Sequence, residues 1–279
     1  MKPIAVDLFC GLGGWAEGLL ASGWDVVGFD IERHVYGEHC YPAQLVLQDV
    51  HTVYGSQFRN VGLIVASPPC QEFSYMAMPF SRGKRIAAAL RGQGEFPEGY
   101  TGSRTVADLR ALFDACFRIQ REASEAAGRH IPLIVENVRG AQPWVGRAAW
   151  NYGSYYLWGD VPALMPFTGT GGGVKQPGSG AAYFDKALDE RRKAATALKT
   201  TGHINKRDGH SHTRHLTNQR EHDAVKGGGD WFSSGTGMSV QRFTSSKSNA
   251  RKFASALIAK IPFDLAYHIG QVFHPGVLA

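Results

Sequence analysis

The chain has no long hydrophobic run, no paired cysteine motif and no internal repeat of 20 to 50 residues. Because no apolar stretch approaches the roughly 18 residues of a membrane span, we expect no membrane partner. Its four cysteines, at positions 10, 40, 70 and 116, show no C-x-x-C spacing. Free buried thiols in a reducing cytoplasm are therefore expected rather than disulfides. The opening MKPIAVDLFCGLGG turns glycine-rich too early for a secretion signal, which agrees with a cytoplasmic location.

Charge is modest overall but uneven along the chain, whose 279 residues carry a net charge of +6. Residues 1–158 have 14 Lys and Arg against 15 Asp and Glu. Residues 159–279 have 16 against 9, together with seven of the eleven histidines. This distribution is typical of a reaction core joined to a lobe that grips a polyanion. A basic surface that only keeps the protein in solution explains the same numbers equally well.

Strand and helix patterns alternate through the first 137 residues, which predicts a parallel sheet covered by helices. The clearest helix spans 105–127, where apolar residues recur at helical spacing and Gly128 ends the pattern. Strands are predicted at 4–9, 26–29, 44–48, 61–66 and 131–135, and further helices at 15–22 and 33–40. From Ser248 to Phe273 the helical pattern returns, with a break at Pro262.

Three segments are predicted to be irregular. Segment 75–104 holds five glycines and a basic run, and a loop of that length in a compact domain is normally functional or disordered. Its basic residues are Arg82, Lys84, Arg85 and Arg91. Segments 168–180 and 200–237 are glycine-rich, and the second is also polar and basic.

The stretch SPPCQEFS, residues 67–74, is the most informative in the chain. It follows an apolar run, and a strand cannot continue its hydrogen-bond ladder through two prolines. Cys70 is therefore presented on a stiff turn at the carboxyl end of a strand, where open α/β sheets place their ligands. The run IVENV, residues 134–138, ends a later strand with Glu136 and Asn137. The two strand ends together offer a nucleophilic thiol and a carboxyl that can donate a proton.

A glycine-rich segment, DLFCGLGGWAEG, follows the first strand and opens a helix. Gly11, Gly13 and Gly14 allow a tight turn and close approach of a ligand to the backbone. Asp30, at the end of the second strand, could bind ribose hydroxyls, and Asp49 could bind an amine such as adenine N6. On this segment alone a nicotinamide enzyme, a protein that binds an adenosyl group and a simple tight turn all remain open.

The thiol and the carboxyl suit one particular reaction. The C5 atom of cytosine is a poor nucleophile until a thiolate adds at C6, which turns C4–C5 into an enamine able to attack a methyl sulfonium. Protonation at N3 makes that addition feasible, and a carboxylic acid in a dry site can supply the proton. Cys70 fits the first role and Glu136 the second, while Asn137 could orient the base or hold the loop. The thiol must be partly ionised.

With these motifs in order, the first 140 residues or so resemble the cytosine-C5 DNA methyltransferases of bacteria and phages. The resemblance implies a doubly wound, mostly parallel α/β sheet of the Rossmann-like S-adenosylmethionine-dependent type, with a small basic target-recognition lobe. It implies S-adenosyl-L-methionine as cofactor. Catalytic residues by resemblance are Cys70, Gln71, Glu136 and Asn137. Cofactor-binding residues by resemblance are Phe9, Gly11, Leu12, Gly13, Gly14, Asp30, Ile31, Asp49, Val50 and Pro69.

Two departures from that family pattern stand out. The family follows ENV with a glutamine-arginine-x-arginine strand, but the matching region, NYGSYYLWGD at 151–160, has no arginine. Arg139 and Arg147 are the candidates to replace it. The family's Gly-Asn near the carboxyl terminus is also absent, since Ala259 and Lys260 precede Ile261 and Pro262.

The resemblance divides the chain into a catalytic core at 1–158, a small basic DNA-recognition lobe at 159–245 and helices at 246–279 that pack back on the core. The loop 75–104 could close over a flipped base. Five histidines in the lobe match no familiar zinc spacing, which favours phosphate contacts or a plain polar loop over a metal. They are His203, His210, His212, His215 and His222.

The predicted activity is methyl transfer from S-adenosyl-L-methionine to C5 of cytosine in double-stranded DNA, through a covalent bond from Cys70 to C6 of a flipped base. We expect a monomer, in the cytoplasm of the bacterial host if a phage encodes it. An RNA cytosine-C5 methyltransferase is the nearest alternative, since the same motifs occur there. A catalytically silent DNA-binding homologue is the second alternative, because the arginine strand is missing. A nicotinamide-dependent enzyme is the least favoured alternative.

Overall fold

The computed structural model describes residues 2–73, 80–152 and 155–165, and residues 252–276 without 254, 255 and 258. The described residues up to 165 and those from 260 onward belong to one compact unit. Most of the predicted recognition lobe, including its histidines and the segments 168–180 and 200–237, lies outside the described residues. So does part of the predicted helical stretch from Ser248 onward.

Seven strands form one twisted sheet, and a two-stranded hairpin lies apart from it. The strands are β1 (Ile4–Leu8), β2 (Asp25–Asp30), β3 (Val35–Tyr36), β4 (His39–Cys40), β5 (Gln44–Leu47), β6 (Leu63–Ala66), β7 (Leu133–Asn137), β8 (Trp150–Tyr152) and β9 (Tyr155–Gly159). The sheet order is β5-β2-β1-β6-β7-β9-β8. The first five strands in that order run parallel, and β9 and β8 add two antiparallel pairings at one edge. The predicted α/β fold with a mostly parallel sheet is confirmed.

Helices cover both faces of the sheet. They are α1 (Gly14–Ala21), α2 (Phe80–Leu90), α3 (Val106–Ala127), α4 (Gln142–Val145) and α5 (Phe263–Phe273), with short 3₁₀ turns at Val50–Thr52, Gly55–Phe58 and Arg139–Ala141. One buried cluster joins the sheet to α3 through residues such as Phe113 and Ile119. The other joins the opposite face to α1 and α5 through Trp15, Leu19 and Leu265. Because β1 and β6 are buried on both faces, their sequences are almost continuously apolar.

The boundaries of the long helix α3 could be predicted because local residues define both of its ends. The side chain of Thr105 accepts a hydrogen bond from the Asp108 amide at 3.0 Å, which caps the amino terminus. Gly128 adopts a left-handed φ of +64° and ends the helix. Between them Leu109, Phe113 and other apolar residues recur on the buried face. Helix α3 thus packs on one face of the sheet, in contact with β7.

Two secondary-structure predictions were wrong. Residues 33–40 were predicted to be helical, but residues 35–40 form the β3–β4 hairpin, because Gly37 adopts a φ of +62° and turns the chain after Tyr36. The segment 75–104 is not irregular throughout, since helix α2 occupies residues 80–90. Its alanine-rich second half has high helix propensity, and Ile86, Ala87 and Ala89 are buried.

All four cysteines are free, as predicted, but only Cys10 and Cys116 are buried, whereas Cys40 is exposed and Cys70 is partly exposed. Among the described residues no helix is long and apolar enough to cross a membrane. The same residues contain no group of three or more His, Cys, Asp or Glu side chains that could hold a metal ion.

Candidate active site

The turn that carries Cys70 is fixed to the sheet on both sides. At its start the Ser67 amide continues the β1–β6 pairing by donating to the Leu8 carbonyl at 3.1 Å. The indole of Trp15 donates to the Ser67 hydroxyl at 3.0 Å. At its end the Phe73 amide donates to the Cys70 carbonyl at 3.0 Å, and the Phe73 ring is buried in the core. Cys70 therefore lies on a short turn anchored before and after it.

Glu136 and Asn137 lie at the carboxyl end of the neighbouring strand. Strand β7 runs parallel to β6, and Val135 pairs with Ala66 at the end of the register. The Asn137 side-chain amide donates to the Pro68 carbonyl at 3.0 Å, and its oxygen accepts from the Val138 amide at 2.8 Å. Both side chains are buried, Glu136 with 7% and Asn137 with 1% of its surface exposed. The structure thus joins the two predicted motifs directly, through the Asn137 amide.

Replacing Asn137 is expected to loosen this junction. Asn137→Ala leaves the buried Pro68 carbonyl and the partly buried Val138 amide without these partners, and an unsatisfied buried group costs about 1–3 kcal/mol. Asn137→Asp keeps an acceptor for the Val138 amide but loses the donor to Pro68. Both variants are therefore expected to slow turnover by roughly 10- to 100-fold, since a small displacement of a reacting group has an effect of that order. Urea unfolding and turnover measurements, with exposed Asn60→Ala as control, check this. Full turnover in Asn137→Asp would contradict it.

Burial distinguishes Cys10 and Cys116 from Cys70, which is partly exposed. Burial, with Asp7 and Asp30 adding to it, raises the pKa of the Cys10 thiol far above its ordinary value. Burial likewise raises the pKa of the Cys116 thiol. Neither thiol can supply a thiolate near neutral pH. Only Cys70 and Cys40 are accessible, and Cys40 lies in the separate β3–β4 hairpin.

The strand beside Glu136 has no arginine, as the sequence indicated. Glu136 pairs with Leu157 of β9, and Tyr155 lies two residues earlier on the same strand. Both are buried in the cluster that contains Trp15. Arg139 and Arg147 are exposed, the first directly after β7 and the second before β8. Their substitution for the missing arginine stays a prediction.

The glycine-rich segment forms a turn between β1 and α1 at the same edge of the sheet. Phe9, Gly11 and Gly13 all have positive φ angles, of 59°, 49° and 80°. A side chain at Gly13 would come within 2.3 Å of Pro42, and one at Gly14 within 2.3 Å of the Ile261 amide. Beyond Gly11, by contrast, there is open space within 4 Å. Gly13 and Gly14 therefore allow close chain packing, whereas Gly11 leaves room for a ligand.

The predicted cofactor residues have different surroundings. Asp30 is fixed by hydrogen bonds from the Gly11 amide at 2.9 Å and the Glu32 amide at 3.2 Å. Burial would raise the pKa of Asp30, but hydrogen bonds from His34 and from these amides outweigh it and lower the value. Ile31 next to it is an apolar side chain with 73% of its surface exposed. An ionised carboxylate beside an exposed apolar surface suits a ribose with an adjoining base.

Asp49, Val50 and Leu12 are tied more closely to the protein itself. Asp49 accepts from the His51 amide at 2.9 Å and caps the 3₁₀ turn that follows. Val50 is 3% exposed and packs in the core, and Leu12 is 6% exposed. Pro69 and Gln71 flank Cys70 and are both exposed. The binding roles of all five residues stay predictions.

An additional buried acid lies under the glycine turn. Asp7 is fully buried, and one oxygen accepts from the Tyr41 hydroxyl at 3.3 Å while the other has no hydrogen-bond partner. Burial raises the pKa of Asp7 well above its usual value, against the hydrogen bond from Tyr41, and nearby Asp30 raises it further. This group was missed as a site feature, because a single Asp in an apolar strand gives no signal of its partner.

The carboxyl-terminal segment closes the glycine turn from the other side. Lys260 forms a 2.6 Å ion pair with Glu17 of α1, and its carbonyl accepts from the Tyr155 hydroxyl at 3.0 Å. The next residue, Ile261, contacts Gly14. The segment therefore lies against the predicted cofactor loop although it lacks the family's Gly-Asn.

Basic residues of segment 75–104, the loop predicted to close over a flipped base, make contacts within the protein. Arg82 donates to the Glu98 carbonyl at 3.2 Å, and the Arg91 guanidinium lies 4.3 Å from the ring centre of Trp144 in α4. Lys84 and Arg85 are exposed on α2. The closing of segment 75–104 over a base stays a prediction, and residues 75–79 lie outside the described part.

Together these features define a Rossmann-like α/β fold, with a glycine turn after β1, an acid at the end of β2 and a thiol turn after β6. The model of the C-5 cytosine-specific DNA methylase family matches residues 4–84, which include the glycine turn and Cys70. This match confirms the resemblance to cytosine-C5 DNA methyltransferases.

Several solved structures are similar to part of the chain, and no curated protein matches it. A prophage-encoded E. coli protein described as a DNA modification methyltransferase is 22% identical, with 50% of this chain and 33% of that chain covered and a TM-score of 0.30. The Dnmt2 methyltransferase of S. pombe is 15% identical (52% and 37% covered, TM-score 0.30). The Entamoeba histolytica methyltransferase EhMeth is 15% identical (61% and 55% covered, TM-score 0.34). The chain thus spans between a third and about half of their lengths.

Proposed function

We propose that this protein methylates C5 of cytosine in DNA, with S-adenosyl-L-methionine as donor and Cys70 as the attacking nucleophile. The observation that carries the proposal is the 3.0 Å hydrogen bond from Asn137 to the Pro68 carbonyl, because it holds the strand end of Glu136 against the turn of Cys70. A thiol and a carboxyl fixed at adjacent strand ends suit addition to one pyrimidine ring from two sides.

Cys70 and Glu136 account for the proposed steps at the cytosine ring. The Cys70 sulfur forms a bond to C6, and the Glu136 carboxyl holds a proton at N3, so the ring electrons shift toward C5. The burial of Glu136 keeps bulk water from that carboxyl. After the methyl group is in place, a water molecule accepts the C5 proton, and the electrons of that C–H bond re-form the C5–C6 double bond as the thiolate of Cys70 leaves C6. N3 returns its proton to Glu136, which restores the neutral aromatic ring. Gln71 is exposed beside Cys70, and the resemblance to the family supports a contact of this residue with the flipped nucleotide.

The residues at the first two strand ends fit S-adenosylmethionine. The open space at Gly11, the oriented carboxylate of Asp30 and the exposed Ile31 suit the glycine turn, ribose and adenine contacts that such a molecule needs. The buried Asp7 oxygen without a partner adds a polar group under the same turn. When bound, the cofactor supplies an electrophilic methyl group on its sulfonium.

Replacing Asp30 tests this assignment. Asp30→Ala removes the acceptor for both the ribose and the Gly11 amide, so we expect the dissociation constant for S-adenosylmethionine to rise at least about 10-fold, the equivalent of 1.4 kcal/mol. Asp25→Asn, at the exposed opposite end of the same strand, serves as the matched control. Titration calorimetry gives both constants. Unchanged affinity in Asp30→Ala, or tighter binding of NAD than of S-adenosylmethionine by the unaltered protein, would refute the cofactor assignment.

A DNA substrate is proposed from the family match and from the basic second part of the chain, residues 159–279. Enzymes that act on a base in a duplex extrude it, and they need positive charge along the phosphates. The direct test incubates the protein with S-adenosylmethionine and either duplex DNA or structured RNA, then analyses the nucleosides by mass spectrometry. 5-Methyldeoxycytidine from DNA supports the proposal. Methylated cytidine from RNA alone identifies the RNA alternative, and duplex binding without either product identifies a silent homologue.

A further inference from the structure

The residue two positions after Cys70 links the nucleophile turn to a distant part of the chain. The Glu72 carboxylate accepts hydrogen bonds from the Ser103 amide at 3.1 and 3.0 Å, one to each oxygen, and from the Tyr100 hydroxyl at 3.2 Å. Burial raises the pKa of Tyr100 to about 12, with Glu72 adding to the effect, so the phenol stays a donor at neutral pH. These bonds span about 30 residues of sequence.

The segment that receives Glu72 is itself well held. The rings of Phe96 and Tyr100 stack with centroids 5.3 Å apart, and the guanidinium of Arg104 lies 4.6 Å from the first ring and 5.2 Å from the second. Arg104 also donates to the Tyr100 carbonyl. The next residue, Thr105, caps α3, which is packed on the core. We call residues 96–104 the aromatic bracket. Glu72 therefore connects the Cys70 turn to the aromatic bracket, which continues directly into helix α3.

We propose that Glu72 is a positioning residue, which holds the Cys70 turn through the aromatic bracket in the geometry needed for attack on cytosine C6. The proposal rests on the proposed function. Asn137 holds the turn at Pro68, and Phe73 anchors its far end in the core. Glu72 supplies the third point, through its bonds to Tyr100 and Ser103. A turn held at three points leaves the intervening thiol little freedom, which is what attack at a fixed distance requires.

The first measurement is the rate of covalent bond formation with DNA that contains 5-fluorocytosine. Glu72→Ala is expected to slow it 10- to 100-fold with S-adenosylmethionine and DNA affinities within twofold of the unaltered protein. Glu72→Gln keeps an acceptor oxygen for Ser103 and is expected to stay within about threefold. The matched control is Glu95→Ala, because Glu95 is an exposed acid that directly precedes the aromatic bracket. Equal rates in Glu72→Ala and Glu95→Ala would overturn the proposal.

Tyr100→Phe removes only the phenol bond and leaves the folded core untouched. It is expected to slow bond formation three- to tenfold, and the double variant with Glu72→Ala should be no slower than Glu72→Ala alone, because the two residues act through one contact. Additive losses would overturn the proposal. So would a rise in rate in Glu72→Gln, since that would mean the negative charge opposes Cys70 ionisation and does not position the turn.

A second measurement does not depend on catalysis. Hydrogen exchange at the Phe73 and Ser103 amides should be at least 10-fold faster in Glu72→Ala than in Glu95→Ala, because both amides bond within the tied turn. Unchanged exchange would overturn the proposal even in a protein without activity. If the unaltered protein bonds to no 5-fluorocytosine polynucleotide yet shows the exchange difference, the proposed function fails while the tie itself stands.

Discussion

Replacing Cys70 with alanine is expected to abolish methyl transfer, with a fall in rate of roughly 10⁴-fold or more, the order seen when an enzyme nucleophile is removed. Without the sulfur no enamine forms, and the C5 atom of cytosine stays unreactive. Transfer of tritium from labelled S-adenosylmethionine to DNA gives the rate, and S-adenosylmethionine affinity should be unchanged.

The matched control is Cys40→Ser, because Cys40 is the other accessible thiol and lies in the separate hairpin. It should retain the rate of the unaltered protein. An undiminished rate in Cys70→Ala would refute the assignment of the nucleophile. A loss in both variants would mean that the assay reports oxidation or misfolding instead of catalysis.

Glu136→Gln is expected to have the second-largest effect, a fall in methyl transfer of roughly 10²- to 10⁴-fold, which is the usual contribution of a positioned acid. The glutamine has nearly the same shape in the buried site but holds no transferable proton at N3. The thiol remains, so bond formation with 5-fluorocytosine DNA should be slowed and not lost.

Exposed Glu125→Gln on α3 serves as the control for the loss of one carboxylate. Thermal unfolding should show both variants folded. A Glu136→Gln protein with ordinary turnover would mean that another group protonates the base, and the arginines at 139 and 147 would then be the first to examine.

The strand ends of the site could be predicted from the sequence because each is a local pattern. A short apolar run that stops at Pro68-Pro69, or at Glu136-Asn137, predicts both a strand and the residues that lie at its carboxyl end. Parallel strands bring such ends to one edge of the sheet, so the sequence alone predicts that the two ends lie close together. The hydrogen bond between Asn137 and Pro68 is the specific contact that results.

The contacts that hold the site could not be predicted, because they join residues far apart in sequence. Trp15 bonds to Ser67 across 52 residues, and Glu72 reaches Ser103 across 31. No periodicity marks such pairs. The hairpin at 35–40 was missed for a different reason, since its strands are only two residues each and give no alternating pattern.

The glycine turn illustrates a mixed outcome. Its position after β1 was evident, and the open space at Gly11 fits a ligand. The pattern could not reveal that Gly13 is required by Pro42 and Gly14 by Ile261, because the second contact comes from a segment nearly 250 residues away. The contacts of Lys260 and Ile261 around this turn could not be predicted either, because no sequence motif indicates them.

The most direct measurement of the central claim is peptide mapping of the covalent complex between the unaltered protein and duplex DNA that contains 5-fluorocytosine, formed with S-adenosylmethionine. A single modified peptide, with the methylated base on the sulfur of Cys70, is the predicted result. Attachment at any other residue, or methylated cytosine produced with no covalent complex, would contradict the account.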